Sequence, residues 1–128
     1  MSNVEYSMPP KKIKPVKPAP LREYKAQITP CSPGEHAVVD PEDPANDGLK
    51  TKFGGAPDWI QDEEWQKCPD CKAAMTFVAQ IDSFEMESRE NPNSRKAGQQ
   101  DFMFGDVGMI YVFYCVSCAT SASVVQYH

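Results

Sequence analysis

Two cysteine pairs with the same spacing are the residues of this chain best suited to chemistry. They are Cys68 and Cys71, in Cys-Pro-Asp-Cys, and Cys115 and Cys118, in Cys-Val-Ser-Cys. A two-residue spacing lets both thiolates of a pair contact one side of a metal ion, and two pairs complete a tetrahedron. Zn²⁺ favours this arrangement, with Zn–S distances of about 2.3 Å. We therefore predict one Zn²⁺ per chain, bound by these four cysteines.

Ligation by four thiolates predicts a structural rather than a catalytic metal, because no coordination position is left for water or substrate. The 43 residues numbered 72–114 separate the two pairs, whereas about 15–20 residues separate them in a compact finger. The long separation indicates a zinc ribbon, in which intervening β-structure brings the two pairs together.

Two disulfides, a redox-active pair, another metal and free thiols are the alternatives for these cysteines. Residues 1–5 lack the basic stretch followed by an apolar one that opens a secretory signal. We therefore expect a cytoplasmic protein, in which such pairs are more often metal ligands than disulfides. No βαβ pattern surrounds either pair, which disfavours thioredoxin-like redox chemistry.

The elements that must position the cysteines are predicted to be strands. Alternating or continuous apolar residues indicate strands at 21–29, 75–81, 109–115 and 119–127. We expect residues 75, 77, 79 and 81 to share one face, and the nearly all-apolar 109–115 to be central and buried on both faces. If 75–81 and 109–115 pair antiparallel, both cysteine pairs lie at the same end of the sheet.

The remaining segments predict a mainly β fold with long irregular loops. Residues 1–20, rich in proline and lysine, are expected to form a disordered tail, and residues 21–128 a single β domain. Residues 30–53 are predicted to be irregular, residues 58–66 to form at most one short helical turn, and residues 87–101 to form a polar hairpin tip or loop. No apolar run approaches the length that a membrane-spanning helix needs.

Charge is distributed unevenly along the chain, whose formal net charge is −5. Residues 1–20 carry +3, and the rest therefore carries −8. Residues 35–64 hold nine acids against two lysines. A solvated acidic surface is one interpretation of this stretch, and attraction of a basic protein partner is the other. Charge reversal at Asp40, Glu42 and Asp43 is expected to spare the fold, because these side chains are predicted to be solvated.

Several segments occur in an order that resembles a known family. They are residues 54–61 (GGAPDWIQ), a Cys-x-x-Cys knuckle, residues 75–81 (MTFVAQI) and residues 108–115 (GMIYVFYC). Together they resemble the YwqG-like proteins and the C-terminal region of programmed cell death protein 2, over about residues 50–120. The resemblance implies a mainly β fold and a non-enzymatic role. Eukaryotic members of this group act as chaperones for a basic ribosomal protein, and some bacterial members look like immunity or antitoxin components.

Other residues offer weaker chemistry. Cys31 and His36 could form half of a metal site, but a free thiol is the expectation because no further ligands are near in sequence. Asp82 with three glutamates of residues 85–90 is predicted to be a solvated hairpin flank. Since no catalytic constellation can be assembled, we expect no enzymatic activity. Trp59, which follows the Gly-Gly-x-Pro turn, is predicted to be a buried anchor beside the sheet.

Two classes of function follow from these observations. The first is a zinc-containing protein-interaction module, chaperone-like or of the immunity type, for a basic protein partner. The second is a zinc-ribbon protein that binds nucleic acid through its lysine-rich tail and aromatic residues. The net negative charge outside the tail favours the first class, and the sequence leaves the oligomeric state open.

Overall fold

The chain forms a mainly β structure around one four-stranded antiparallel sheet, as a computed structural model shows. The structure describes residues 21, 23–46, 49–83, 104 and 108–127. The strands, in spatial order, are β1 (Lys52–Phe53), β2 (Thr76–Asp82), β3 (Gly108–Cys115) and β4 (Thr120–Tyr127). A short 3₁₀ turn, Pro44–Asn46, interrupts the long loop before β1. The predicted mainly β fold is confirmed, whereas the predicted tail at 1–20 and loop at 87–101 lie outside the described residues.

The predicted antiparallel pairing of β2 with β3 is confirmed. Thr76, at the start of β2, lies opposite Tyr114, near the end of β3. Cys115 lies opposite Thr120 at the start of β4. This register places the segment that precedes β2 and the β3–β4 connection at the same end of the sheet. In the part of the chain that the structure describes, no helix has the length and apolar character needed to cross a membrane.

β3 is central, as predicted, but it is fully buried on one face only. Met109, Tyr111 and Phe113 have no exposed surface. On the opposite face Ile110 and Val112 are half-buried and Tyr114 is 38% exposed. The expectation of burial on both faces was wrong, because a continuous apolar run reflects pairing on both edges of a strand and does not by itself require cover on both faces.

A β-bulge in β2 overturns the predicted alternation of residues 75–81. Phe77 lies opposite Phe113 and Ala79 lies opposite Val112, so β2 has one extra residue, Val78, at this point. An extra residue reverses which side chains face the core. Beyond the bulge Gln80 and Asp82 lie on the core face, and Ile81 lies on the other face.

The strand predicted at residues 21–29 does not form among the residues described there. Residues 21 and 23–29 take part in no strand pairing. Leu21 is 51% exposed and Ile28 is 70% exposed. Alternation of apolar and polar residues is not enough to form a strand, because a strand is stabilised by a hydrogen-bonded neighbour and by burial of one face.

Aromatic rings stack on the buried face of β3. Trp59 lies 4.8 Å from Tyr111 and 6.1 Å from Phe113 between ring centroids. Trp65 packs edge-on against Trp59 at 5.7 Å, and Phe77 packs edge-on against Phe113 at 5.8 Å. The prediction that Trp59 anchors the turn beside the sheet is confirmed, although its side chain is half-buried rather than buried. No helical turn forms at residues 58–66.

Three buried polar side chains from neighbouring strands hold residues 58–62 against the sheet. Gln80 accepts the Asp58 N–H at 2.9 Å and donates to the Lys50 carbonyl at 2.7 Å. The Tyr111 hydroxyl accepts the Ile60 N–H at 3.0 Å and donates to the Asp58 carbonyl at 2.8 Å. A third set of bonds comes from Gln126, which accepts the N–H groups of residues 60 and 61 and donates to the carbonyl of residue 62.

These bonds explain why the loop can lie on an apolar sheet at all. Buried backbone groups need partners, and a loop without strand pairing must find them in side chains. Burial also raises the pKa of Tyr111, so its hydroxyl keeps the proton that it donates. The preceding turn has the geometry expected of its glycines, since Gly54 and Gly55 have φ angles of 76° and 74°.

Replacing Gln80 by leucine is expected to destabilise the protein by about 2–4 kcal/mol. Leucine has a similar size, but it removes the hydrogen bonds that Gln80 makes with the Asp58 N–H and the Lys50 carbonyl, and the loss of a bond to a buried polar group costs about 1–3 kcal/mol. Urea unfolding followed by circular dichroism measures the difference. The matched control is Gln61→Leu at an exposed side chain, expected within about 0.5 kcal/mol of the parent. Equal effects of the two changes would contradict a role for the Gln80 bonds.

Candidate metal centre

The four cysteines predicted from the sequence meet at one end of the sheet. The sulfur atoms of Cys68, Cys71, Cys115 and Cys118 all lie within 4.8 Å of one another. The Cys71 and Cys115 sulfurs are 3.6 Å apart. A tetrahedron with metal–sulfur distances of about 2.3 Å has edges of about 3.8 Å. A disulfide requires a sulfur–sulfur distance of about 2.0 Å, and all five cysteines of the chain are free. The arrangement fits ligation of one ion.

The first knuckle is closed by backbone hydrogen bonds just before β2. The Lys72 N–H donates to the Cys68 carbonyl at 2.8 Å, and the Cys68 N–H donates to the Ala73 carbonyl at 2.9 Å. Lys67 and Ala74 form an isolated antiparallel bridge across the base of the knuckle. The chain therefore reverses tightly over residues 68–73, which directs both sulfurs of the pair to the same side.

The second knuckle repeats this geometry between β3 and β4. The Ala119 N–H donates to the Cys115 carbonyl at 2.8 Å. Ala119 has a φ of 55°, and Lys72, at the equivalent position of the first knuckle, has a φ of 66°. Each turn thus ends on a left-handed residue immediately after its second cysteine. Glycine usually occupies left-handed positions. Because neither knuckle has a glycine there, these two positions could not be predicted from the sequence.

The two knuckles bury their first cysteines and leave the second ones nearer to solvent. Cys68 and Cys115 are buried and belong to the same apolar cluster as Met75, Phe77 and Phe113. Cys118 is half-buried and Cys71 is exposed. The centre therefore lies on the edge of the core, open to solvent on one side, where a metal ion can enter.

Backbone N–H groups favour the thiolate form of the first cysteine of each pair, but the pKa is lowered only at Cys68. The N–H of Cys71, assisted by that of Asp70, lowers the pKa of the Cys68 thiol to about 7 against the opposing effect of burial. At Cys115 the N–H of Cys118 acts in the same direction, but burial and the neighbouring thiols prevail, so the pKa is raised. Hydrogen bonds to ligand sulfurs of this kind orient and tune metal centres.

Mutual proximity opposes ionisation of the whole set. The thiols of Cys71 and Cys68 raise the pKa of Cys118 to about 12. Several thiolates this close repel one another, and a bound cation offsets that repulsion. Both the geometry and the chemistry of the donors therefore fit a metal ion, and the four cysteines are positioned to bind one.

The other candidate residues do not form a second centre in the described part of the chain. Cys31 is an exposed free thiol, as expected, and His36 is also exposed. The four cysteines are the group of potential metal ligands found among the described residues. Asp82 is fully buried in β2, which corrects the prediction of a solvated flank at this residue. Its buried position follows from the bulge, and the glutamates of residues 85–90 lie outside the described residues.

Comparison with known proteins adds one relative. The chain is 33% identical over 76 residues to a protein of Salmonella typhimurium strain LT2 named "Uncharacterized protein YpfL". The matched region is 59% of this chain but 15% of the relative, so the chain corresponds to a small part of that longer protein. No family model matches the chain, and no solved structure matches it. The comparisons therefore show similarity to a protein of uncharacterised function, and the four-cysteine centre is the feature that points to a function.

Proposed function

We propose that this chain is a non-catalytic protein-interaction module whose fold is stabilised by one structural Zn²⁺ bound to Cys68, Cys71, Cys115 and Cys118. The observation that carries the proposal is the meeting of four sulfurs within 4.8 Å of one another, with the Cys71 and Cys115 sulfurs 3.6 Å apart. Sulfur ligands in this geometry select zinc or iron. Zinc is favoured because two short knuckles joined through a β-sheet form a ribbon-type site.

The non-catalytic assignment rests on the coordination number. Four cysteines fill a tetrahedral zinc ion, so water and substrate have no position on it. The metal then stabilises the fold at the end of the sheet where two chain reversals meet. We extend the proposal to a cytoplasmic location, where thiols remain reduced and available for zinc.

The contacts of residues 62–64, at the end of the acidic segment 35–64, support a basic protein partner. Asp62, Glu63 and Glu64 are exposed, and Gln126 donates to the Asp62 carbonyl and to the Glu64 carboxylate. Trp65 comes next in sequence and is 52% exposed. An exposed segment with acidic and aromatic side chains, held to the sheet by these bonds, suits lysine and arginine side chains. This partner is consistent with a chaperone-like or immunity-type role and with the YwqG-like resemblance.

Metal analysis and affinity capture test the proposal together. Zinc-loaded protein, immobilised and incubated with cell lysate in moderate salt, is expected to retain a basic protein equally well with and without nuclease. Elemental analysis of the same sample is expected to give about one zinc per chain. Recovery that disappears with nuclease would favour a nucleic-acid-binding function, and a chain that folds without metal would contradict the structural zinc.

Charge reversal in the acidic segment is expected to weaken partner association without loss of fold. The structure changes the choice of residues, because Asp40 has a positive φ and the Asp43 carboxylate accepts the Ala45 N–H at 2.9 Å. Glu42, Asp62 and Glu63 have exposed side chains and are better targets. Their replacement by lysine is expected to slow association by about tenfold at low salt, with little effect at high salt.

Stopped-flow or surface-plasmon measurements of the association rate at several salt concentrations test this prediction. The control is a triple change to lysine at the exposed neutral residues Thr76, Ser121 and Ser123, which adds positive charge at another part of the surface. If the association rate falls by the same factor in both variants, overall charge rather than this acidic segment governs association.

A further inference from the structure

A groove of about 770 Å³ lies on the β1 side of the sheet, and the metal centre makes no contribution to it. Both residues of β1 and the following glycines line it, together with residues 26–31 and part of the loop at 35–37. Its volume falls within the range of about 300–1,000 Å³ that is typical of ligand sites.

One border of the groove is an edge strand of the sheet, as far as the described residues go. β1 ends the strand order of the sheet and pairs with β2 alone among the described residues. The backbone groups on the other side of an edge strand are templates for another extended chain. Beyond β1 the chain turns at Gly54, whose N–H donates to the Val78 carbonyl at 2.7 Å and where an added side chain would meet nothing within 4 Å.

The other border of the groove is a segment that has the sequence pattern of a strand but does not pair with any strand among the described residues. Residues 26–30 have neither helical nor turn structure and take part in no ladder. Ile28, in this segment, is 70% exposed, and Phe53, in β1, is 59% exposed. Apolar side chains on both borders and an edge strand are the features with which proteins bind extended peptides by strand addition.

The charges at the groove favour a basic peptide. Lys52 forms an ion pair with Asp58 at 2.9 Å, so these two charges offset each other. Glu35 also lines the groove, and its carboxylate accepts the Ser32 N–H at 2.8 Å. The acid at Glu35 therefore gives the groove a net negative charge, which attracts lysine or arginine.

We propose that this groove binds an extended segment of a partner protein, by strand addition to β1, with a basic side chain of the segment near Glu35. The inference rests on the proposed function in that it takes the basic partner as given, and it adds where and in which conformation that partner binds. Binding in this mode recognises the peptide backbone, so it requires extended rather than helical structure in the partner.

Peptide selection identifies the probe for the test. A random twelve-residue library displayed on phage is selected on the zinc-loaded full chain, and the most enriched peptide is synthesised with a fluorescent label. Fluorescence anisotropy then gives its Kd for each variant. We expect enriched peptides to contain a basic residue among alternating apolar residues. N-methylation of the alternate peptide residues whose N–H groups face β1 is expected to weaken binding at least tenfold.

Two pairs of variants locate the binding. Ala56→Trp fills the groove, whereas Ala45→Trp places the same side chain at an exposed residue outside it. We expect at least tenfold weaker binding for the first and less than twofold for the second, with zinc content and melting temperature retained in both. Glu35→Gln keeps an acceptor for Ser32 but removes the charge, and is expected to weaken binding about threefold, whereas Glu23→Gln, at an exposed residue that does not line the groove, is expected to have no effect.

The results separate this inference from the proposed function. No peptide enrichment, binding unaffected by Ala56→Trp, or binding indifferent to N-methylation would overturn strand addition in the groove. If the Ala56→Trp protein still captures the basic partner of the parent chain from lysate, the groove inference is wrong while the proposed function stands. Absence of any basic partner for the parent chain would instead remove the proposed function.

Discussion

Cys115→Ser is expected to abolish stoichiometric zinc binding and cooperative folding. Cys115 is buried in the apolar cluster and ends the central strand, so its loss affects the metal centre and the core together. Structural zinc contributes about 10–16 kcal/mol in small zinc-binding peptides. Whole domains are stable by about 5–15 kcal/mol. A zinc site of ordinary strength is therefore comparable with the entire stability of a domain of this size.

Metal content and thermal unfolding measure the effect. The parent chain is expected to hold about one zinc ion and to melt cooperatively, whereas the variant is expected to hold little zinc and show no sharp transition at the same temperature. Cys31→Ser is the matched control, because Cys31 is an exposed thiol away from the centre. A Cys115→Ser protein with full zinc content and the melting temperature of the parent would falsify the four-cysteine assignment.

Trp59→Ala is expected to lower the free energy of unfolding by about 3 kcal/mol. Emptying a large aromatic site in a core costs about 3–5 kcal/mol, and the half-buried position of Trp59 favours the lower end. The change removes the stacking on Tyr111 and Phe113 and part of the cover of the sheet. For a domain of this size the melting temperature is expected to fall by about 10–20 °C.

Trp65→Ala is the matched control for this prediction. Trp65 is 52% exposed and contacts Trp59 and Phe113 through edge-on packing. We expect its removal to lower the melting temperature by less than half as much, and zinc content to stay near one ion per chain in both variants. A larger effect at Trp65 than at Trp59 would show that the exposed ring, rather than the stacked one, supports the fold.

The clustering of the four cysteines and the strand pairing that brings them together could be predicted from residues alone. Both follow from short-range rules: a two-residue spacing directs two sulfurs to one side, and an antiparallel pair places the end of one strand beside the start of the next. The apolar run at 109–115 also contained enough information to identify the central strand. These features depend on neighbours in sequence or on one strand pairing.

Residues whose role depends on distant partners could not be identified in this way. Gln80 and Gln126 read as ordinary polar strand residues, and they are buried because each bonds to the backbone of residues 58–62 or nearby. The bulge at Val78 reversed the predicted faces of β2, since alternation in a sequence contains no record of an inserted residue. Conversely, residues 21–29 alternate like a strand but have no strand neighbour among the described residues. The sequence by itself therefore determined the four candidate ligands and the central pairing, whereas the tertiary structure decided which polar side chains are buried and which extended segments become strands, because burial and strand formation both require a partner from elsewhere in the chain.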